Sequence, residues 1–80
     1  MYETINEQIN VLVRFANGKI APVYFTWKNR KISLQSLNFV HTSKKGSAKL
    51  IHFSASNDTS NYKLTYNTQD QSWVLNEIYA

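Results

Sequence analysis

The sequence predicts an all-β domain, a strongly bent six-stranded antiparallel meander or small barrel. Three observations predict it. Apolar residues alternate with polar ones along most of the chain, the period of strands with one buried face. Polar turn clusters interrupt that alternation at short intervals. Eleven aromatics (four Phe, five Tyr, two Trp) supply large apolar surfaces in a chain with no cysteine to staple it.

The elements follow in chain order. In residues 2–8, Tyr2, Ile5 and Ile9 fall on one face of a short helical turn, which would need tertiary support. Strand one, 8–16, alternates Ile9, Val11, Val13 and Phe15, and Asn17-Gly18 closes it with a strong hairpin signal. Strand two, 19–27, puts Val23, Phe25 and Trp27 on one face, with Tyr24 and Thr26 on the other. Pro22 lacks an N–H and belongs at an edge, a bulge or a strand start. Strand three begins at Lys31. Its phase slips near Gln35-Ser36, where a β-bulge would return Ile32, Leu34, Leu37 and Phe39 to the core. A polar loop around Gly46 precedes strand four, 48–56. Strand five, 62–67, alternates Tyr62, Leu64 and Tyr66. Strand six, 73–79, sets Trp73, Leu75 and Tyr79 against Val74 and Ile78.

Eighty residues make one domain, 1–80, with a thin core: a chain this short buries about 60–65% of its unfolded surface. No apolar run reaches the roughly 18 residues of a membrane span, and the N-terminus lacks a secretory leader's pattern, so a cytoplasmic protein is expected. Asn57-Asp58-Thr59 fits a glycosylation acceptor but reads here as turn chemistry.

The charge layout is the main functional signal. Net charge is +4, and no acid lies between Gln8 and Asn57. That span holds Arg14, Lys19, Lys28, Arg30, Lys31, Lys44, Lys45 and Lys49, eight of the nine basic residues. These are the candidate phosphate contacts, because such a field favours nucleic acid, anionic lipid or an acidic protein. A merely basic, soluble surface is the plain alternative. Tyr24, Tyr62 and Tyr66 are the candidate stacking aromatics, since Trp27 and Trp73 share faces with core residues.

Catalysis is not expected. No serine sits in a nucleophile elbow, carboxylates are few, and no phosphate-binding glycine pattern occurs. His41 and His52 are the two histidines, at no familiar ligand spacing, so no metal, cofactor or small-molecule ligand is expected. Strands one, four and six carry apolar residues on both faces, which favours barrel closure, a homodimer or another protein partner.

Two stretches carry a resemblance. Pro22, Phe25, Trp27, Lys28, Asn29, Arg30 and Ile32 resemble the pattern P-x-x-F-x-W-[KR]-[GN]-[KR]-x-[aromatic or Ile]. The end, "YKLTYNTQDQSWVLNEIYA", is similar to a W-x-L-x-x-[IV]-Y finish. Both recur in a family of small bacterial β domains without an established activity, some resembling the tails of proteins related to translesion DNA polymerases. Asn29 stands where that family more often has glycine. The resemblance spans 19–80 and implies a small β fold and, by analogy, a nucleic-acid role.

Overall fold

The computed structural model describes residues 2–79, which form strands and turns with no helix. Seven strands, β1 (Tyr2–Ala16), β2 (Lys19–Trp27), β3 (Arg30–Ser33), β4 (Ser36–Lys45), β5 (Ala48–Ser56), β6 (Asn61–Asn67) and β7 (Ser72–Tyr79), build one antiparallel sheet. Its order is β3-β2-β1-β7-β6-β5-β4. The sheet does not close into a barrel.

Seven strands replace the expected six because the third divides. The phase slip at Gln35-Ser36 is a break between β3 and β4, not a bulge within one strand. β3 and β4 are the two edges of the sheet, yet only Leu34 and Gln35 separate them in the chain. The sheet must therefore curl until its edges approach. That corner is stitched by Leu34 N–H to Val23 O (2.9 Å), Gln35 N–H to Ser56 O (2.8 Å) and the Asn57 Nδ2 amide to Ser33 O (2.9 Å). The Leu34 side chain packs on the core, whereas Leu37 and Phe39 stay exposed, against expectation.

The helical turn expected over 2–8 is also replaced. β1 runs from Tyr2 and pairs with β7, which satisfies backbone groups that a lone helical turn would leave open. Asn6, at φ 52°, absorbs the register shift between Thr4 and Glu7.

Two further bulges invert faces. Leu12 pairs with Tyr24 and Val13 with Pro22, leaving Val23 extra. Phe25 and Trp27 therefore face the core with Pro22 and Ile20, and Val23 does not. In β7, Lys63 opposes Glu77 and Leu64 opposes Leu75, so Asn76 is extra and Ile78 joins the core face. Phe25, Phe53, Leu64 and Leu75 are fully buried inside the curl, with Ile9, Ile32, Tyr62 and Trp73 around them. Each contributes about 1.5–3 kcal/mol by leaving water.

The tight turns obey hairpin stereochemistry. Asn17-Gly18 and Lys28-Asn29 both carry two positive φ angles (54° and 72°; 52° and 62°), the mark of type I′ turns. Gly46, at 62°, provides the first central residue of a type II′ turn. With all pairs antiparallel, the β1–β2, β4–β5 and β6–β7 turns share one end of the sheet, here the upper end. The β2–β3 and β5–β6 turns share the lower end.

Candidate nucleic-acid interface

The eight candidate cations do not form one patch. The strand directions divide them: Arg14, Lys19, Lys44, Lys45 and Lys49 lie at the upper end, and Lys28, Arg30 and Lys31 at the lower.

The lower three are largely occupied by their own hairpin. The Lys28 ammonium lies 4.7 Å from the Trp27 ring centroid, and that of Lys31 4.3 Å from Tyr24. The Trp27 indole N–H donates to Glu7 Oε1 at 3.1 Å, so a carboxylate stands beside the tip. Arg30 and Lys31 share a shallow hollow with Asp58. Acids far away in sequence thus return to this cationic segment through the fold.

Among the described residues the upper five have no such partners. Among the described residues the one ion pair joins Lys63 to Glu77 (3.7 Å), outside the candidate set. Lys44 and Lys49 stand directly opposite each other on β4 and β5. Like charges facing across an antiparallel pair are destabilising. The register puts both on the same face as Thr42 and Ile51, at the rim above the core. The nearest acid along the upper turns, Asp70, accepts from the Ser72 hydroxyl (2.6 Å) and backbone N–H (3.1 Å).

The stacking candidates also separate. Tyr62 is 6% exposed and meets Phe25 edge-on at 5.4 Å, so it is a core residue with no free face. The ring of Tyr24 is covered by Lys31. Tyr66 is half-buried, packed on Trp73 at 4.9 Å, and borders an open groove of about 410 Å³.

That groove follows from unequal strand lengths. Pairing of β1 with β7 ends at Ile9 and Trp73, while β1 with β2 continues to Ala16 and Lys19. The β1–β2 hairpin therefore projects as an arm. Its inner face, Val11, Val13, Phe15 and Ile20, forms one wall of the groove, with Tyr66 and Trp73 opposite. Phe15, expected in the core by alternation, is 75% exposed because the arm outruns the strands that would cover it. It was absent from the stacking candidates, and only the pairing of the first strand with the last reveals it.

The two histidines meet across β4 and β5, their rings stacked 4.6 Å apart. Thr65 Oγ1 donates to Asn76 Oδ1 (2.6 Å). Its remaining capacity is as acceptor, so His52 Nδ1–H donates to it (3.0 Å) and Nε2 accepts from the Ser43 hydroxyl (2.7 Å). Burial, and then the neighbouring His41, hold the His52 pKa below its ordinary value. A hydroxyl bound to a neutral imidazole is half of a nucleophilic device. The adjoining hollow, of about 70 Å³, is lined by His41 and His52 but not by Ser43. Among the described residues no group of three or more His, Cys, Asp or Glu converges to hold a metal.

No protein-family model, curated protein or solved structure matches this chain. The resemblance to small bacterial β domains therefore rests on the quoted motifs themselves.

Proposed function

We propose that this protein is a non-catalytic binding module whose upper end contacts the phosphates of single-stranded nucleic acid. The observation that carries the reading is the Lys44–Lys49 pair: two lysines directly opposite each other across β4 and β5, with no ion pair to either among the described residues, at the rim of an open curl. A phosphate backbone relieves that repulsion, and Arg14, Lys19 and Lys45 extend the field around the same end. Phe15, Tyr66 and Trp73 border a groove in which an unstacked base finds aromatic surface. The lower hairpin, with two cations laid on its own aromatics, is not part of this surface.

The test is a salt titration of labelled single-stranded DNA and RNA, with duplexes as controls. The logarithm of the affinity should fall with the logarithm of salt concentration by about 0.7 per phosphate contacted, and single strands should bind ahead of duplexes. Absence of binding at low salt, or binding indifferent to salt, overturns the proposal. A second reading, a protein-interaction domain, is favoured by one observation: all ten residues of β4 are exposed.

A further inference from the structure

The place where the sheet fails to close has the form of a missing strand. β4 is an edge, paired on one side by β5 alone. Along ten residues it presents alternate unpaired N–H and C=O groups, and Ser36–Ser43 holds no Lys, Arg, Asp or Glu. Natural edges are usually blunted by charge, proline, brevity or a bulge, and before Lys44 this one has only the bulge at Asn38. Facing it is a second open edge. β3 covers β2 only from Tyr24 to Trp27, so Lys19–Pro22 lack a neighbour on that side. Between the two edges lies a hollow of about 490 Å³, walled by Ile20 and Ala21 on one side and Leu37, Val40 and Thr42 on the other, with Phe53 lining it as well. An apolar concavity between two unpaired strand edges is the receptor geometry of strand addition, in which main-chain bonds give affinity and alternate side chains give specificity.

We infer that this slot takes an extended segment of a partner protein, added antiparallel to β4, with acidic residues at its N-terminal end followed by apolar residues at alternate positions. The order follows from charge and direction. β4 runs upward and ends in Lys44-Lys45, with Lys19 across the slot. A segment antiparallel to β4 enters beside those lysines with its N-terminus, and among the described residues no carboxylate forms an ion pair with them. Its inward side chains then meet Thr42, Val40 and Leu37 in turn. A second copy of this chain is a poorer occupant. It would bring β4 joined to its own β5, and strands in a sheet lie about 4.8 Å apart, so β2 stands where the second strand must go. The slot shares Lys19, Lys44 and Lys45 with the nucleic-acid reading but adds backbone and apolar contacts of β4, and a change confined to those contacts, at Val40, tells the two apart.

The experiment uses a fluorescein-labelled peptide, Glu-Glu-Val-Thr-Ile-Thr-Val, and the whole chain. Anisotropy should show saturable binding, and hydrogen exchange should slow at Leu37–Ser43 when peptide is added. Val40→Lys places a charge in the slot on an exposed residue and should weaken the peptide by about tenfold or more, with oligonucleotide binding retained. Should that variant unfold, Thr42→Lys makes the same test. A peptide with lysines in place of the two glutamates should also bind about tenfold less tightly. Equal binding by Val40→Lys, protection located away from β4, or a concentration-dependent dimer that protects β4 without peptide would each overturn the inference.

Discussion

The two ends of this molecule carry the same kind of residue and treat it differently. At the lower end Lys28, Arg30 and Lys31 sit on a two-residue hairpin tip, and two of the three spread over Trp27 and Tyr24. Glu7 is tethered there by the indole N–H, Asp58 lies in the adjoining hollow, and the edges of the sheet are stitched together. At the upper end Arg14, Lys19, Lys44, Lys45 and Lys49 surround an unclosed curl, with Lys44 paired opposite Lys49. Cations close in sequence to aromatics are internal packing; cations aligned by cross-strand register, with no partner, are an unsatisfied field. What separates them is cross-strand neighbours, which the local sequence does not display.

The sharpest way to break this contrast is charge reversal at each end. Lys44→Glu with Lys45→Glu and Lys49→Glu should abolish measurable oligonucleotide binding, since three phosphate contacts are lost and three repulsions gained. Thermal stability should change little, because reversing both members leaves a like-charged pair where Lys44 and Lys49 face each other. Lys28→Glu with Arg30→Glu should leave affinity within about threefold, a change expected of long-range field alone. If instead the lower variant loses binding and the upper one keeps it, the assignment of the two ends is reversed.

A smaller effect, on stability, tests the stitch. The Asn57 side chain donates to Ser33 O and accepts from the backbone N–H groups of Thr59 (2.9 Å) and Ser60 (3.0 Å). Asn57→Ala removes all three bonds at the corner where β3 crosses to β4. Urea unfolding should show a loss of about 2 kcal/mol. Phe15→Ala, at the unstitched end, should change stability by no more than about 0.5 kcal/mol. Similar losses from both would mean that the arm packs more closely than its exposure indicates.

Much of the strand layout was legible because it is local. Asn17-Gly18 marks its hairpin by composition, and β5, β6 and β7 lie close to where alternation put them. Three things were not legible, each for a physical reason. A single extra residue, Val23 or Asn76, flips every side chain beyond it; Pro22 signals a bulge beside the first without fixing which residue is extra, and nothing around Asn76 marks the second. The phase slip at Gln35-Ser36 is visible, but bulge and break look alike until it is known that β3 and β4 occupy opposite edges. The exposure of Phe15 depends on where β7 begins, a relation between the first strand and the last. For the candidate site, the cationic span was plain, yet its division into occupied and free cations required the pairing of Lys44 with Lys49 and the return of Glu7 to Trp27.

The smallest expected effect concerns pH, and it separates the edge strand from the rest of the sheet. His52 links β4 to β6 and β7 through Ser43, Thr65 and Asn76, with His41 stacked on it from β4. Protonation at Nε2 would remove the acceptor for the Ser43 hydroxyl and place an imidazolium against His41. The folded state therefore binds this proton less readily than the unfolded chain, consistent with the lowered His52 pKa. The sign follows: the contribution is complete above the unfolded value of about 6.5 and is lost as pH falls from there through the lower folded value. Urea midpoints should decline over that interval, and His52→Gln should flatten the decline. Glu77 titrates in a separate window. The Tyr2 hydroxyl, donating at 2.7 Å, then Tyr79 and Lys63, hold its carboxyl below the usual range, so its share is lost only at more acidic pH. A decline near pH 6 that persists in His52→Gln would assign it to another group. A decline that vanishes, with hydrogen exchange rising first in β4, would show that the histidine relay holds down the strand on which the slot depends.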